Sequence, residues 1–186
     1  MVGTKSVKPT RHLALSLLTL FITLGCQTTG GSRWSSNETP EHWYHSVEGG
    51  FSVRTPTSLT YQVDHVTIKH GDQSYRIDLS VHRGDLSPWF FEILHAPKPA
   101  FWGELNSAEQ SWWLRASAQA RYQPFRLIAV KDDRLLGEQD GRHVDVRIAE
   151  SPTRLYWIAA GVPPGTLDDP AVASFFNSFR TIEAQP

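Results

Sequence analysis

Several runs of the chain alternate apolar and polar residues with a period of two, and only short turns separate these runs. Leu59, Tyr61 and Val63 alternate in one phase, and residues 75–81 do so again after a turn at residues 70–73. A period of two is typical of a β-strand with one buried face. Connections this short cannot form parallel crossovers, so we expect adjacent strands to be antiparallel.

Two further features of this strand pattern are informative. Val66 and Ile68 continue the first run in the opposite phase, and the phase change near Asp64 and His65 predicts a β-bulge. A second group of short strands, joined by turn residues, is predicted as a meander. Its segments are residues 126–130, 135–139, 142–149 and 154–160.

Two helices are predicted from their capping residues. Asn106 and Glu109 form a capping-box pair before the first helix, whereas Asp169 and Pro170 supply the N-cap and first helical residue of the second. The stripes that we expect to face the core are Ala108, Trp112, Ala116 and Ala120, and Val172, Phe175, Phe176 and Phe179. Along the chain, the predicted elements follow the order strands, helix, strands, helix. This order predicts an α+β fold, in which an antiparallel sheet with a hairpin and a meander packs against two main helices.

The order of these pieces resembles the PsbP-like superfamily. The matching motifs are Gly49-Gly50-Phe51-Ser52-Val53 with Pro56, then a hairpin, a helix, a meander ending in Arg154-Leu155-Tyr156-Trp157, and a closing Phe175-Phe176-Asn177-Ser178-Phe179. This family includes the photosystem II extrinsic subunit, a Ran-binding import factor and many bacterial secreted or lipid-anchored members. The resemblance covers residues 47–183 and implies a PsbP-like α/β/α sandwich. It carries over no functional residue, and residues 86–105 depart from the family pattern.

The amino-terminal segment has the layout of a secretory signal peptide. Lys5, Lys8 and Arg11 precede an apolar stretch at residues 13–24, which is too short to span a bilayer. Residues 1–25 are therefore predicted to be removed on export, and residues 41–186 to form one domain.

The sequence Thr23-Leu24-Gly25-Cys26 resembles the bacterial lipobox, with Thr23 where the motif prefers Leu. This resemblance implies that Cys26 receives the lipid and becomes the first residue of a membrane-anchored protein. Gln27 follows the cysteine, where Asp would signal retention at the inner membrane. We therefore expect an outer-membrane protein that faces the periplasm. Residues 26–40 are predicted to be a flexible tether, because residues 27–39 are rich in Ser, Thr, Gly and Asn.

Composition narrows the classes of function. Export removes three basic residues and no acidic one from a chain of net charge −1, so the mature protein is mildly acidic and lacks the basic footprint of a nucleic-acid-binding protein. Cys26 is the only cysteine, so no disulfide is expected and burial must hold the domain together. Seven Trp, nine Phe and five Tyr supply that burial.

No common catalytic or cofactor motif occurs. Nucleophile-elbow, dinucleotide-binding, zinc-protease and phosphate-loop patterns are all missing, so we expect no cofactor. His42 and His45 could hold a metal ion if they were helical, and His65 or His70 could meet His82 across the hairpin. Surface or half-buried histidines are the better explanation of both patterns, and we predict no metal site.

Other candidate residues have structural explanations. Trp112 and Trp113 point about 100° apart on a helix, so one should lie in the core and the other should be partly exposed. Asp132 and Asp133 are expected in a solvated turn, and Asp169 acts as a helix cap.

Residues 86–105 form the most informative segment, because it is aromatic and interrupted by prolines. It is either a structural flap over the sheet or a patch that binds a partner. The aromatic candidates for partner binding are Trp89, Phe90, Phe91, Phe101 and Trp102. We expect a lipid-anchored, non-enzymatic envelope protein that binds or assembles with another envelope protein. The alternative is an unmarked hydrolase or small-ligand-binding enzyme with a pocket near the first helix.

Overall fold

The computed structural model describes residues 42–70 and 72–182. The predicted signal segment 1–25, the lipidation site Cys26 and the tether 26–40 lie outside the described residues. Within the described part, no helix is both long and apolar enough to cross a membrane.

Ten strands form two antiparallel sheets. The strands are β1 (His42–Ser46), β2 (Phe51–Thr55), β3 (Thr60–His70), β4 (Gln73–Leu86), β5 (Trp89–Pro97), β6 (Arg126–Lys131), β7 (Arg134–Gln139), β8 (Arg142–Glu150), β9 (Arg154–Val162) and β10 (Arg180–Thr181). The main sheet has the order β3-β4-β5-β9-β8-β7-β6, and the small sheet has the order β1-β2-β10. The predicted hairpin is β3–β4, the predicted meander is β6 to β9, and both are antiparallel as expected.

Both helices begin where their capping residues predict. A 3-10 helix (Ala100–Glu104) leads into α1 (Ser107–Arg121), which has the full Asn106–Glu109 capping box. The second helix, α2 (Pro170–Ser178), is capped by the Asp169 side chain.

The predicted α+β fold, with a sheet packed against two main helices, is wrong. Strands make up 54% of the described residues and helices 21%, and the strands form two antiparallel sheets. One cause is that residues 86–105, expected to be irregular, contain β5. A second cause is that β1, β2 and β10 form a sheet of their own. The α/β/α sandwich that the family resemblance implies is overturned with it.

Two hydrophobic cores lie on opposite faces of the main sheet. On one face, Trp113 and Leu114 of α1 pack against Trp157, whose indole Nε1 donates to the Leu114 carbonyl at 2.9 Å. On the other face, Phe51 of the small sheet and Phe175 of α2 share a core with β5 and β9. The middle of the main sheet is therefore buried on both sides.

Two details of the predicted patterns differ from the structure. The β3–β4 register runs without a shift from Thr60 opposite Arg83 to His70 opposite Gln73, so the bulge predicted near Asp64 is wrong. The phase change arises because Tyr61 and Val63 are apolar but exposed. In α1, the buried residues are Trp113, Leu114, Ser117 and Ala118, one position away from most of the predicted stripe.

Candidate functional site

The structure separates the five aromatic residues proposed for partner binding. Trp89, Phe90 and Phe91 lie in β5 and are buried in the two cores, and Trp102 is buried in the 3-10 helix. These four side chains therefore expose little surface to a partner. Phe101 is only partly buried and packs at the edge of the α1 core. Of the five, it is the one placed at a surface cavity.

That cavity lies at the start of α1 and has a volume of about 350 Å³. We call it the aromatic pocket. Its apolar walls come from β4, the 3-10 helix and its end, and the first turns of α1. They are formed by Tyr75, Phe101, Leu105, Ala108, Trp112 and Trp113. A smaller hollow of about 280 Å³ adjoins it and shares Tyr75, Phe101 and Trp113. Together they form an aromatic surface beside the helix.

The side chains of Asn106, Glu109 and Tyr75 at the aromatic pocket already form hydrogen bonds. The Asn106 side-chain oxygen accepts from the backbone N–H of Ala108 and Glu109 at 3.0 and 3.1 Å. Glu109 Oε2 accepts from the Asn106 N–H at 2.9 Å, and the Tyr75 hydroxyl donates to Gln73. Because the one carboxylate lining the pocket serves as a helix cap, the pocket offers no free acid–base pair.

Aromatic contacts fix the floor of the pocket. Trp113 meets Trp102 edge to face at 5.6 Å and Phe101 at 6.5 Å between ring centroids. Gln110 donates to the carbonyls of Trp102 and Leu105, which ties the 3-10 helix to α1. As expected for adjacent helix residues, Trp113 is buried and Trp112 is partly exposed. The pocket is therefore preformed by the packing of α1.

A buried polar cluster lies on the face of the main sheet opposite to α1. His82 of β4 and His95 of β5 are 4% and 1% exposed, and their Nε2 atoms are 3.2 Å apart. Tyr44 Oη lies 2.8 Å from His82 Nδ1, and Arg154 Nη1 lies 2.9 Å from His95 Nδ1. We call His82 and His95 the buried histidine pair. Four separate strands supply the cluster, so no local motif in the sequence indicates it.

Burial governs the charge state of this pair. Desolvation, together with the nearby Arg154 and His82, lowers the pKa of His95 to about 4. Desolvation also lowers the pKa of His82, although the carboxylate of Glu48 opposes that shift. Both imidazoles are therefore neutral near pH 7.

The other histidines do not form the arrangements considered from the sequence. His42 and His45 lie in strand β1 rather than in a helix. Successive side chains of a strand alternate between its two faces, so these two residues, three positions apart, lie on opposite faces. His65 pairs across the hairpin with Asp78, whereas Tyr61 is opposite His82. Among residues 42–70 and 72–182, no three His, Cys, Asp or Glu side chains converge to hold a metal ion.

A buried carboxylate links α1 to the main sheet. Glu92 is fully buried in β5, and its Oε1 lies 2.5 Å from Arg121 Nη2. Its Oε2 accepts from the Tyr122 hydroxyl at 2.8 Å, and Arg121 also pairs with Asp64 at 2.9 Å. Burial and the neighbouring Glu92 raise the pKa of Tyr122 well above its usual value. This network holds the end of α1 in place.

Comparisons with protein-family models, curated proteins and solved structures found no match to this chain. The resemblance to the PsbP-like superfamily therefore stays a prediction.

Proposed function

We propose that this chain is a lipid-anchored envelope protein, attached through Cys26 to the outer membrane and facing the periplasm. Its domain is a non-enzymatic binding module for another envelope protein. The aromatic pocket at the start of α1 receives an apolar side chain of that partner.

The composition of the pocket walls carries this proposal. Phe101, Trp112 and Trp113 present preformed aromatic surface, and side chains of this type dominate the energy of protein interfaces. The polar side chains Asn106 and Glu109 bond to the helix start instead of to the pocket interior. An apolar group can therefore enter without breaking the hydrogen bonds of this helix cap.

A second candidate function is the binding of a small apolar molecule. A cavity of about 350 Å³ is large enough for a small ligand, since such sites span roughly 300–1,000 Å³. This candidate uses a pocket near the first helix, which is where the sequence places the site of the alternative, small-ligand-binding function. It differs from the first in the size and chemistry of the occupant, so one experiment can separate the two.

Site-specific photocrosslinking in the native envelope tests the proposal. A photoreactive amino acid replaces Ala108, which is exposed at the pocket, in the full-length chain. Ala173, an exposed alanine on α2, is the matched control position. We expect a defined protein adduct from position 108 only, and we expect Trp112→Ala to reduce its yield at equal folded protein. A small-molecule adduct from position 108 would favour the second candidate. Equal adducts from positions 108 and 173 would contradict both.

A further inference from the structure

Arg154 fixes the direction of every hydrogen bond through the buried histidine pair. A guanidinium only donates, so His95 Nδ1 must accept from Arg154 Nη1 at 2.9 Å. In neutral His95 the proton then sits on Nε2 and is donated to His82 Nε2 at 3.2 Å. His82 must in turn carry its proton on Nδ1 and donate it to Tyr44 Oη at 2.8 Å. The chain therefore runs in one direction, from β9 through β5 and β4 to β1.

This chain of hydrogen bonds cannot accommodate an additional proton. If either imidazole is protonated, both of its ring nitrogens become donors, and at least one of them faces another donor. A proton on His95 also places a second positive charge beside Arg154. A metal ion between the two Nε2 atoms meets the same obstacle, because the bond from Arg154 keeps the proton of His95 on Nε2.

The groups around the pair favour the neutral form. The ring of Phe51 packs edge-on against His82 and His95 at 5.1 and 5.9 Å between centroids. Within the described residues, the titratable and charged groups that face the pair are Tyr44 from β1, Glu48 from the turn after β1, Tyr61 from β3, and Arg154 and Tyr156 from β9. Glu48 is the one member of this set that favours a charge on His82.

Strand β1 covers this cluster and pairs with β2 along its whole length, but few of its side chains pack inward. His42, Trp43 and His45 are exposed, so Tyr44 and Ser46 are the side chains of β1 that turn inward. Strand β2 differs, because Phe51 and Val53 are fully buried in the core. The hydrogen bond from His82 to Tyr44 connects the main sheet to β1. Release of β1 exposes less buried surface than release of β2 would.

We propose that the buried histidine pair is an acid-sensitive latch: protonation of His82 or His95 breaks the chain of hydrogen bonds and releases β1 from the main sheet, while β2 stays in the core. The lowered pKa values of both histidines support this assignment, because proton uptake then favours states in which the rings reach water. The release depends only on the fold and does not rest on the aromatic pocket.

Hydrogen exchange of the full chain tests the latch. We expect the protection of the β1 amides, corrected for the intrinsic rate, to fall by at least about tenfold between about pH 6.5 and pH 5, because each pKa unit corresponds to a tenfold change. The amides of β5 and β9 report global unfolding, and they should stay better protected than those of β1 at every pH, because release of β1 alone costs less free energy than unfolding the domain. His95→Gln keeps a donor and an acceptor but does not titrate, so it should flatten the β1 profile. His65→Gln, at an exposed histidine of β3, is the control and should behave as wild type.

Either of two results would overturn the latch. One is β1 protection equal to that of β5 and β9 at every pH, which would mean that β1 opens only when the whole domain unfolds, and the other is an equal acid response in wild type and His95→Gln. If His95→Gln does not fold, the imidazole nitrogen resonances of the wild-type protein give the answer. We expect the Nε2–H form of His95 and the Nδ1–H form of His82 at neutral pH, and their loss on acidification together with β1 protection. Other ring forms at neutral pH, or β1 protection that persists after both rings are protonated, would contradict the proposal.

Discussion

Tyr122 donates its hydroxyl proton to Oε2 of the fully buried Glu92 at 2.8 Å, while Arg121 binds the other carboxylate oxygen. These two residues end α1, so Glu92 fixes the helix end to the middle of the main sheet. A buried carboxylate is tolerated here because both of its oxygens have partners.

Glu92→Ala should destabilise the domain strongly, because it leaves Arg121 and Tyr122 without their buried acceptor. Breaking a buried ion pair costs about 3–5 kcal/mol of unfolding free energy. Asp85→Ala, which removes the exposed partner of Arg83, is the control and should cost no more than about 1 kcal/mol. Urea unfolding measures both. Similar unfolding midpoints for the two variants would show that the Glu92 network contributes no more than a surface ion pair.

Gly161 is required by the ring of Phe90 on the neighbouring strand. A Cβ at Gly161 would lie 1.9 Å from Cε1 of Phe90, whereas a Cβ at Gly103 meets nothing within 4 Å. We expect Gly161→Ala to cost about 1–3 kcal/mol or more through overpacking. Gly103→Ala should be neutral or slightly stabilising, because alanine reduces the freedom of the unfolded chain. Thermal unfolding of both variants checks this, and a loss of stability at Gly103 alone would reverse the expectation.

The sequence indicates the hairpin, the meander and the helix caps of this fold but not β5, which joins the hairpin to the meander in the main sheet. Strands of the β3–β4 hairpin carry an apolar and a polar face, which gives the period-two signal. In β5 every residue from Trp89 to Ala96 is buried, so the alternation that marks a strand is lost. An aromatic-rich run between prolines therefore predicts a flap or a binding patch rather than a strand.

Missing β5 also hides both polar clusters. His95 and Glu92 lie in this strand and point to opposite faces, and their partners come from β1, β4, β9 and the end of α1. Only the strand pairing brings residues as distant as Tyr44 and Arg154 to one cluster. The aromatic pocket is easier to anticipate, because the 3-10 helix and α1 are adjacent in the chain. The sequence accordingly predicts a pocket near the first helix as part of the alternative function.

Anchoring should depend on the thiol of Cys26. Cys26→Ser removes the only sulfur that can take the diacylglyceryl group, so fatty-acid labelling should be lost and the signal segment should stay uncleaved by the lipoprotein peptidase. Fractionation and metabolic labelling with a radioactive fatty acid measure both effects. A variant that labels and fractionates as wild type would rule out the lipid anchor at this position.

Acidification should weaken the whole domain through the buried histidine pair. Burial lowers the pKa of His95 from 6.5 to about 4 and lowers that of His82 as well. Between those values the unfolded chain binds more protons than the folded chain, so the free energy of unfolding falls as the pH drops from about 6.5 to about 4 and then levels off. At 1.36 kcal/mol per pKa unit, His95 alone accounts for about 3 kcal/mol of this loss. Other titratable groups add their own acid response, so the informative quantity is the difference between variants. The unfolding free energy of His95→Gln should fall less over this range than that of wild type, and His65→Gln should match wild type. Parallel curves for wild type and His95→Gln would mean that His95 takes up its proton in the folded domain as readily as in the unfolded chain.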